Sequence, residues 1–172
     1  LYLKTDADTL SFKILRNDSL DIAMGGTTGV EIDFPEVALM SEDGQPNLHN
    51  VASAAAHNGE SINIDDAYSS TRYDFSGTKA FDERSGYRST SFLTVPLKNH
   101  EGIVIGVMQL LNSQDKDSGE VIPFDPDMEP LIDALASQAA VSLDNQMLLE
   151  AQKQLLDAFI ELIAGAIDAK SP

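Results

Sequence analysis

The chain has 172 residues, 42% of them hydrophobic, no cysteine, and 28 Asp plus Glu against 11 Lys plus Arg, for a formal charge of −17. That length and apolar content suit one domain with one substantial core, and the acidic field disfavours nucleic acid and anionic membrane surfaces as partners. Without cysteine, disulfides, thiolate nucleophiles, zinc ribbons and thioether-linked chromophores are excluded.

No run of about 18 apolar residues and no basic, then apolar, leader pattern is present, so the expected compartment is the cytoplasm. The chain opens on Leu1 inside a strand-like pattern and closes at Pro172 after a helix-like one; the expectation is a segment of a longer protein.

In chain order, "LYLKT" (1–5) and "LSFKILRN" (10–17) alternate apolar and polar residues around the turn-forming "DADT", which predicts a hairpin. "LDIAM", ahead of Gly25 and Gly26, extends the sheet, and the Gly- and Pro-rich run to Asn47 reads as a variable connection. "LHNVASAAAHNG" (48–59) predicts a short helix stopped at Asn58-Gly59. "SINI" (61–64) is a brief strand. Residues 65–88 form a long polar connection with interspersed aromatics, a length that points to function. "STSFLTVPLKN" (89–99) and "GIVIGVMQLLNS" (102–113) are the strongest strands, joined at "HEG", and their unbroken apolar character places them at the centre of a sheet covered on both faces.

From Pro126 the period changes to that of a helix, with Asp125 as cap and Pro126 in its first turn. Apolar positions recur at Leu131, Leu135 and Ala139, then at Leu155, Phe159, Leu162 and Ala166. The second set steps by 4, 3 and 4, the spacing of a coiled-coil seam. About 40 helical residues would span about 60 Å, so the distal half needs a partner outside the domain; a homodimer through this seam is expected.

The adjacent carboxylates Asp82 and Glu83 diverge on a strand or a helix and make a poor acid and base pair; they read as a solvated loop. His49 and His57 are placed on the short helix, eight residues apart, without a further ligand at metal spacing, and His100 lies in a hairpin turn. No phosphate-binding loop, nucleophile elbow or zinc-protease motif occurs. The segment itself is expected to hold no catalytic residues and no metal, and no cofactor is assigned.

"HNGESINIDDAYSSTRYDF", "GYRSTSFLTVPLKNHEGIVIGVMQLLN" and the terminal helix together resemble a GAF domain, over residues 1–150. The resemblance implies an α+β, PAS-like fold: a central antiparallel sheet of five to six strands, helices on both faces and a long C-terminal signalling helix, with the family's first helix missing. It also implies a small-molecule pocket roofed by residues 65–88. Matching the family's pocket positions gives Arg16, Val51, Ala52 and Gln109 for the floor, and Phe81 (or Phe75), Asp82, Ser85 and Ser89 for the roof. A cyclic nucleotide is one implied ligand. Cyclic GMP is disfavoured, because Arg16 has only donors where a carboxylate would accept from guanine.

The cyclic-nucleotide members pair a Lys and an Asp in a motif that here reads Asn112-Ser113, Phe124, Met128-Glu129; both charges are absent. "QLLDAFIELIAGAIDAKSP" resembles the opening of an HD or HD-GYP phosphohydrolase domain, giving 151–172 as signalling helix and start of that domain. The implied whole is a sensor controlling a metal-dependent phosphohydrolase, acting in one form on cyclic di-GMP. The alternative is a ligand-free dimerisation module.

Overall fold

In the computed structural model, the described residues are 10–16, 19–26 and 37–168 for the backbone and 37–165 for side chains. The expected strand at 1–5, its turn at 6–9, the connection at 27–36 and the last residues from 169 lie outside them.

Among the described residues, six strands, β1 (Leu10–Arg16), β2 (Ser19–Gly26), β3 (Val37–Ala38), β4 (Ile62–Ile64), β5 (Phe92–Lys98) and β6 (Val104–Leu111), form one antiparallel sheet in the order β3-β2-β1-β6-β5-β4. β1 pairs with β2 as a hairpin, so the partner of 10–16 in that hairpin is 19–26. β6 runs between β1 and β5, and β5 is buried from Phe92 to Leu97, as its unbroken apolar run requires. Pro96 sits in β5 beyond the reach of β4, which pairs only with Phe92, Leu93 and Thr94, so its missing N–H costs no bond on that edge.

The alternation of β5 and β6 sorts their side chains to two cores. Phe92 and Val107 face α1 (Val51–Asn58), joining Val51, Ala52, Ala54 and Ala55. The small residues of α1 bury against the sheet, and the helix is closed by its sequence: the Asn50 side chain accepts from the N–H of Ala52 (2.9 Å) and Ser53 (3.2 Å), and Gly59 ends it in the left-handed region at φ 64°. On the other face, Leu93, Val95, Leu97, Met108 and Leu110 pack with Phe124 and α3 (Glu129–Asp168). A 3₁₀ turn at Pro126–Met128 leads into α3, with the Asp125 carboxylate accepting from Asp127 N–H at 3.0 Å. Pro130 falls in the first turn of α3, where a missing N–H is harmless.

Two findings concern helices. The connection 65–88 contains a helix, α2 (Ser76–Ser85), not expected because its pattern lacks apolar periodicity. In α3 the face that enters the core is Ile132, Ala136 and Ala140, not the line of Leu131 and Leu135: Ile132 is 1% exposed and Leu135 58%. Small alanines let α3 approach the sheet closely, and the larger leucines turn outward. Polar contacts fix its base, with Ser61 Oγ donating to Asp133 (2.7 Å) and Asn63 Nδ2 to Glu129 (3.0 Å) and to Phe124 O (3.1 Å).

Truncation should separate the two lines. Ile132→Ala is expected to cost about 2–5 kcal/mol in denaturant unfolding, and Leu131→Ala to stay within about 0.5 kcal/mol; equal losses would refute the assignment of faces.

Candidate functional site

α2 is a helix with one buried residue, and that residue is a carboxylate. Asp82 is 3% exposed, whereas its neighbour Glu83 faces solvent. Asp82 Oδ1 accepts from Ser89 Oγ at 2.8 Å, and Oδ2 accepts from Ser89 N–H at 2.7 Å and from the Tyr68 hydroxyl at 2.7 Å. The expected solvated loop at Asp82 is therefore a buried, satisfied acceptor on a helix. Three neutral donors around one carboxylate are worth more than ordinary hydrogen bonds, because the acceptor is charged. They join the start of the connection, at Tyr68, to its end, at Ser89.

Gly86 makes this closure possible. It caps α2 at φ 72°, turning the chain so that Ser89 returns to the carboxylate seven residues before it. Tyr68 is held from a second side by cations, with the Arg88 guanidinium 4.0 Å and the Lys79 ammonium 5.4 Å from its ring centroid. The hydrogen bond to Asp82, then burial and the nearby negative charge, push the Tyr68 phenol above its ordinary 10.0. At the start of α2, Asp74 accepts from Ser76 N–H at 2.8 Å, and that bond holds its carboxyl below the usual carboxylate value.

Asn112 secures the same connection from β6. It adopts a left-handed φ of 55°, accepts from Thr90 N–H at 2.7 Å, and donates to Arg88 O at 2.8 Å and to the Tyr87 hydroxyl. Asn tolerates this conformation better than other non-glycine residues. Where the family's ion pair is absent, Ser113 N–H donates to Ser91 Oγ at 3.1 Å, and Met128 packs against the second core. Neutral groups thus occupy both places.

The expected floor and roof residues fall into separate groups. Val51, Ala52 and Phe75 meet in the α1-side core, and Phe75 packs on Phe92 with ring centroids 5.2 Å apart. Gln109, directly across from Thr94, faces the same side and donates through Nε2 to Thr94 Oγ1 at 3.2 Å. Phe81 is half-buried on α2. Ser85 is exposed, its hydroxyl donating to Phe81 O within the helix. Arg16 ends β1 opposite Ser19, and its side chain lies outside the described ones. Tyr68 is the residue that sequence reasoning missed; nothing in local spacing ties it to an acid fourteen positions on.

His49 precedes the cap of α1 and is not on the helix. His57 Nε2 lies 2.8 Å from Leu39 O, and exposed His100 lies 3.6 Å from Asp144 of α3. Among the described residues no three His, Cys, Asp or Glu side chains form a group able to hold a metal ion, and no helix is long and apolar enough to cross a membrane.

An antiparallel sheet thus lies between a short helix and a long one, with the connection between β4 and β5 tied together by a polar cluster. The chain belongs to the GAF domain family, whose model matches residues 8–143. It is 31% identical over 154 residues to the dual 3',5'-cyclic-AMP and -GMP phosphodiesterase 11A of Takifugu rubripes, an alignment covering 88% of this chain and 16% of that protein. The chain thus spans under a fifth of that relative's length. In fold it resembles residues 122 to 287 of a methyl-accepting chemotaxis protein (TM-score 0.59, 19% identity, 84% of this chain and 82% of that one). It also resembles the GAF domain of a phosphoenolpyruvate-protein phosphotransferase from Coxiella burnetii (TM-score 0.57, 15% identity, 84% and 76%).

Because the folded-state value of Tyr68 is raised, its bond to Asp82 contributes fully below pH 10 and is lost as pH rises through that higher value. Ultraviolet titration should show Tyr68 ionising late in the native chain and returning toward the ordinary value in Asp82→Ala. The same variant, which strands the buried Ser89 N–H, should lose about 1–3 kcal/mol and speed amide exchange across 76–90; unchanged exchange there would refute the latch.

Proposed function

We propose that this chain is the sensor and signalling helix of a longer phosphodiesterase. A small molecule held between α1, the inner face of β5 and β6 and the α2 connection shifts the connection between latched and released arrangements. α3 carries that difference to a C-terminal catalytic domain. The observation that supports this most directly is α2 itself: its one fully buried residue is the carboxylate of Asp82, which gathers donors from Tyr68 and Ser89 in a polar cluster that a ligand can compete for. A ligand transmits only if it binds the two arrangements with different affinity.

The residues we assign to the ligand are Arg16, Val51, Ala52, Phe75 or Phe81, Asp82, Ser85, Ser89 and Gln109. An anionic or carbonyl-bearing molecule suits Arg16, and among cyclic nucleotides cyclic GMP suits it least. The output domain we assign is a metal-dependent phosphohydrolase of the HD or HD-GYP kind; its cyclic di-GMP form rests on the resemblance of residues 154–172 alone. The family relation to a cyclic-nucleotide phosphodiesterase supports the regulatory role. We place the protein in the cytoplasm as a homodimer through Leu155, Phe159, Leu162 and Ala166, and assign no turnover to this segment.

A second reading has its own support. Val51, Ala52 and Phe75 already pack in the core, and Asp82 is already satisfied, as suits a ligand-free dimerisation module.

A thermal-shift screen and calorimetric titration over cyclic AMP, cyclic GMP, cyclic di-GMP and small metabolic anions separates the two. A ligand at 100 times its Kd should stabilise the chain by about 2.7 kcal/mol; no shift across the panel favours the second reading. Replacing Leu155 and Phe159 by Lys should yield monomers in light scattering, and an intact dimer would rule out that seam.

A further inference from the structure

We propose that Asn58 is a self-modification site: its side-chain amide is lost by attack of the Gly59 backbone nitrogen, assisted by the Lys98 ammonium. The chemistry needs three things, and they meet at the end of α1. The first is approach. The backbone nitrogen must reach the Cγ of the asparagine before it, and a following glycine, without Cβ, leaves that path most open. Among the asparagines of this chain, Asn58 alone precedes glycine.

The second is a free amide. Asn50 caps α1, Asn63 donates to Glu129, Asn99 accepts from Glu101 and Ile103, and Asn112 is bound through both oxygen and nitrogen. Asn58 is exposed, and among the described residues its side chain has no hydrogen-bond partner. Asn145 is exposed as well, but it lies within α3 and precedes Gln146, whose side chain hinders the approach. The Gly59 N–H donates to Ala55 O at 2.9 Å, so the reaction waits for the last turn of α1 to open. Helix ends are where opening costs least.

The third is a cation. Lys98, the last residue of β5, lies over Gly59, with Nζ 3.5 Å from where a Cβ on that glycine would stand. Positive charge there stabilises the deprotonated Gly59 nitrogen and then the oxyanion formed at Asn58 Cγ. In the step, the Gly59 proton leaves to solvent, the N–Cγ bond forms, and the Cγ–Nδ2 bond breaks with release of ammonia. Water then opens the five-membered imide at either carbonyl. One opening gives aspartate at position 58; the other gives its isomer, whose backbone runs through the side-chain carbon. One water enters and one ammonia leaves, with no oxidant or reductant.

The isomer lengthens the backbone just before the cap, which breaks the Gly59 bond that closes α1. Either product sets a carboxylate at the negative end of the helix. The change therefore loosens the helix that carries Val51, Ala52, Ala54 and Ala55 into the core.

The test is to incubate the full 172-residue chain at neutral pH and map its peptides by mass spectrometry over time. Conversion should appear first at Asn58, as two separable products, and should run faster in urea, where α1 is open. Lys98→Met should slow conversion of the folded chain several-fold, and Lys98→Arg, which keeps the charge, should not. Conversion beginning at any other asparagine would overturn the site. An equal rate in Lys98→Met and the unmodified chain would overturn the part given to Lys98.

Discussion

The buried carboxylate of Asp82 is the constraint on which the connection between β4 and β5 depends. Asp82 is the one fully buried residue of α2, with Phe81 half-buried beside it. This one acceptor gathers donors from both ends of the connection, and Asn112 fixes the following residues to β6 from the opposite direction. Charged acceptors in a partly dry site bond strongly but cost much when left unpaired. The connection is therefore stable as a set and sensitive to the loss of any member.

The elements that were legible in the sequence are those whose signals are local. Asn50 and Gly59 bracket α1, the continuous apolar runs mark β5 and β6, and Asp125 with Pro126 marks the entry to α3. α2 was not legible, because helices are read from apolar period and this one buries an acid. The core face of α3 was not legible for a related reason: the alanines at 136 and 140 give little apolar signal yet are buried, while the conspicuous Leu131 and Leu135 are exposed.

Of the candidate site, residue types were visible but their partners were not. Asp82 and Ser89 are seven residues apart and meet only because Gly86 reverses the chain between them. Tyr68 and Asn112 come from elements 14 residues before Asp82 and 30 after it, and only the sheet brings them to one place. Phe75, a roof candidate by resemblance, is set by its contact with Phe92 as part of the core.

The base of α3 is bound to β4 by Ser61–Asp133 and Asn63–Glu129, and β4 leads directly into the latched connection. α3 is packed on the sheet as far as Leu143, so the free lever is the stretch from there to Asp168. About 25 residues span about 37 Å, and a tilt of about 6° at the packed end would move the far end by roughly 4 Å.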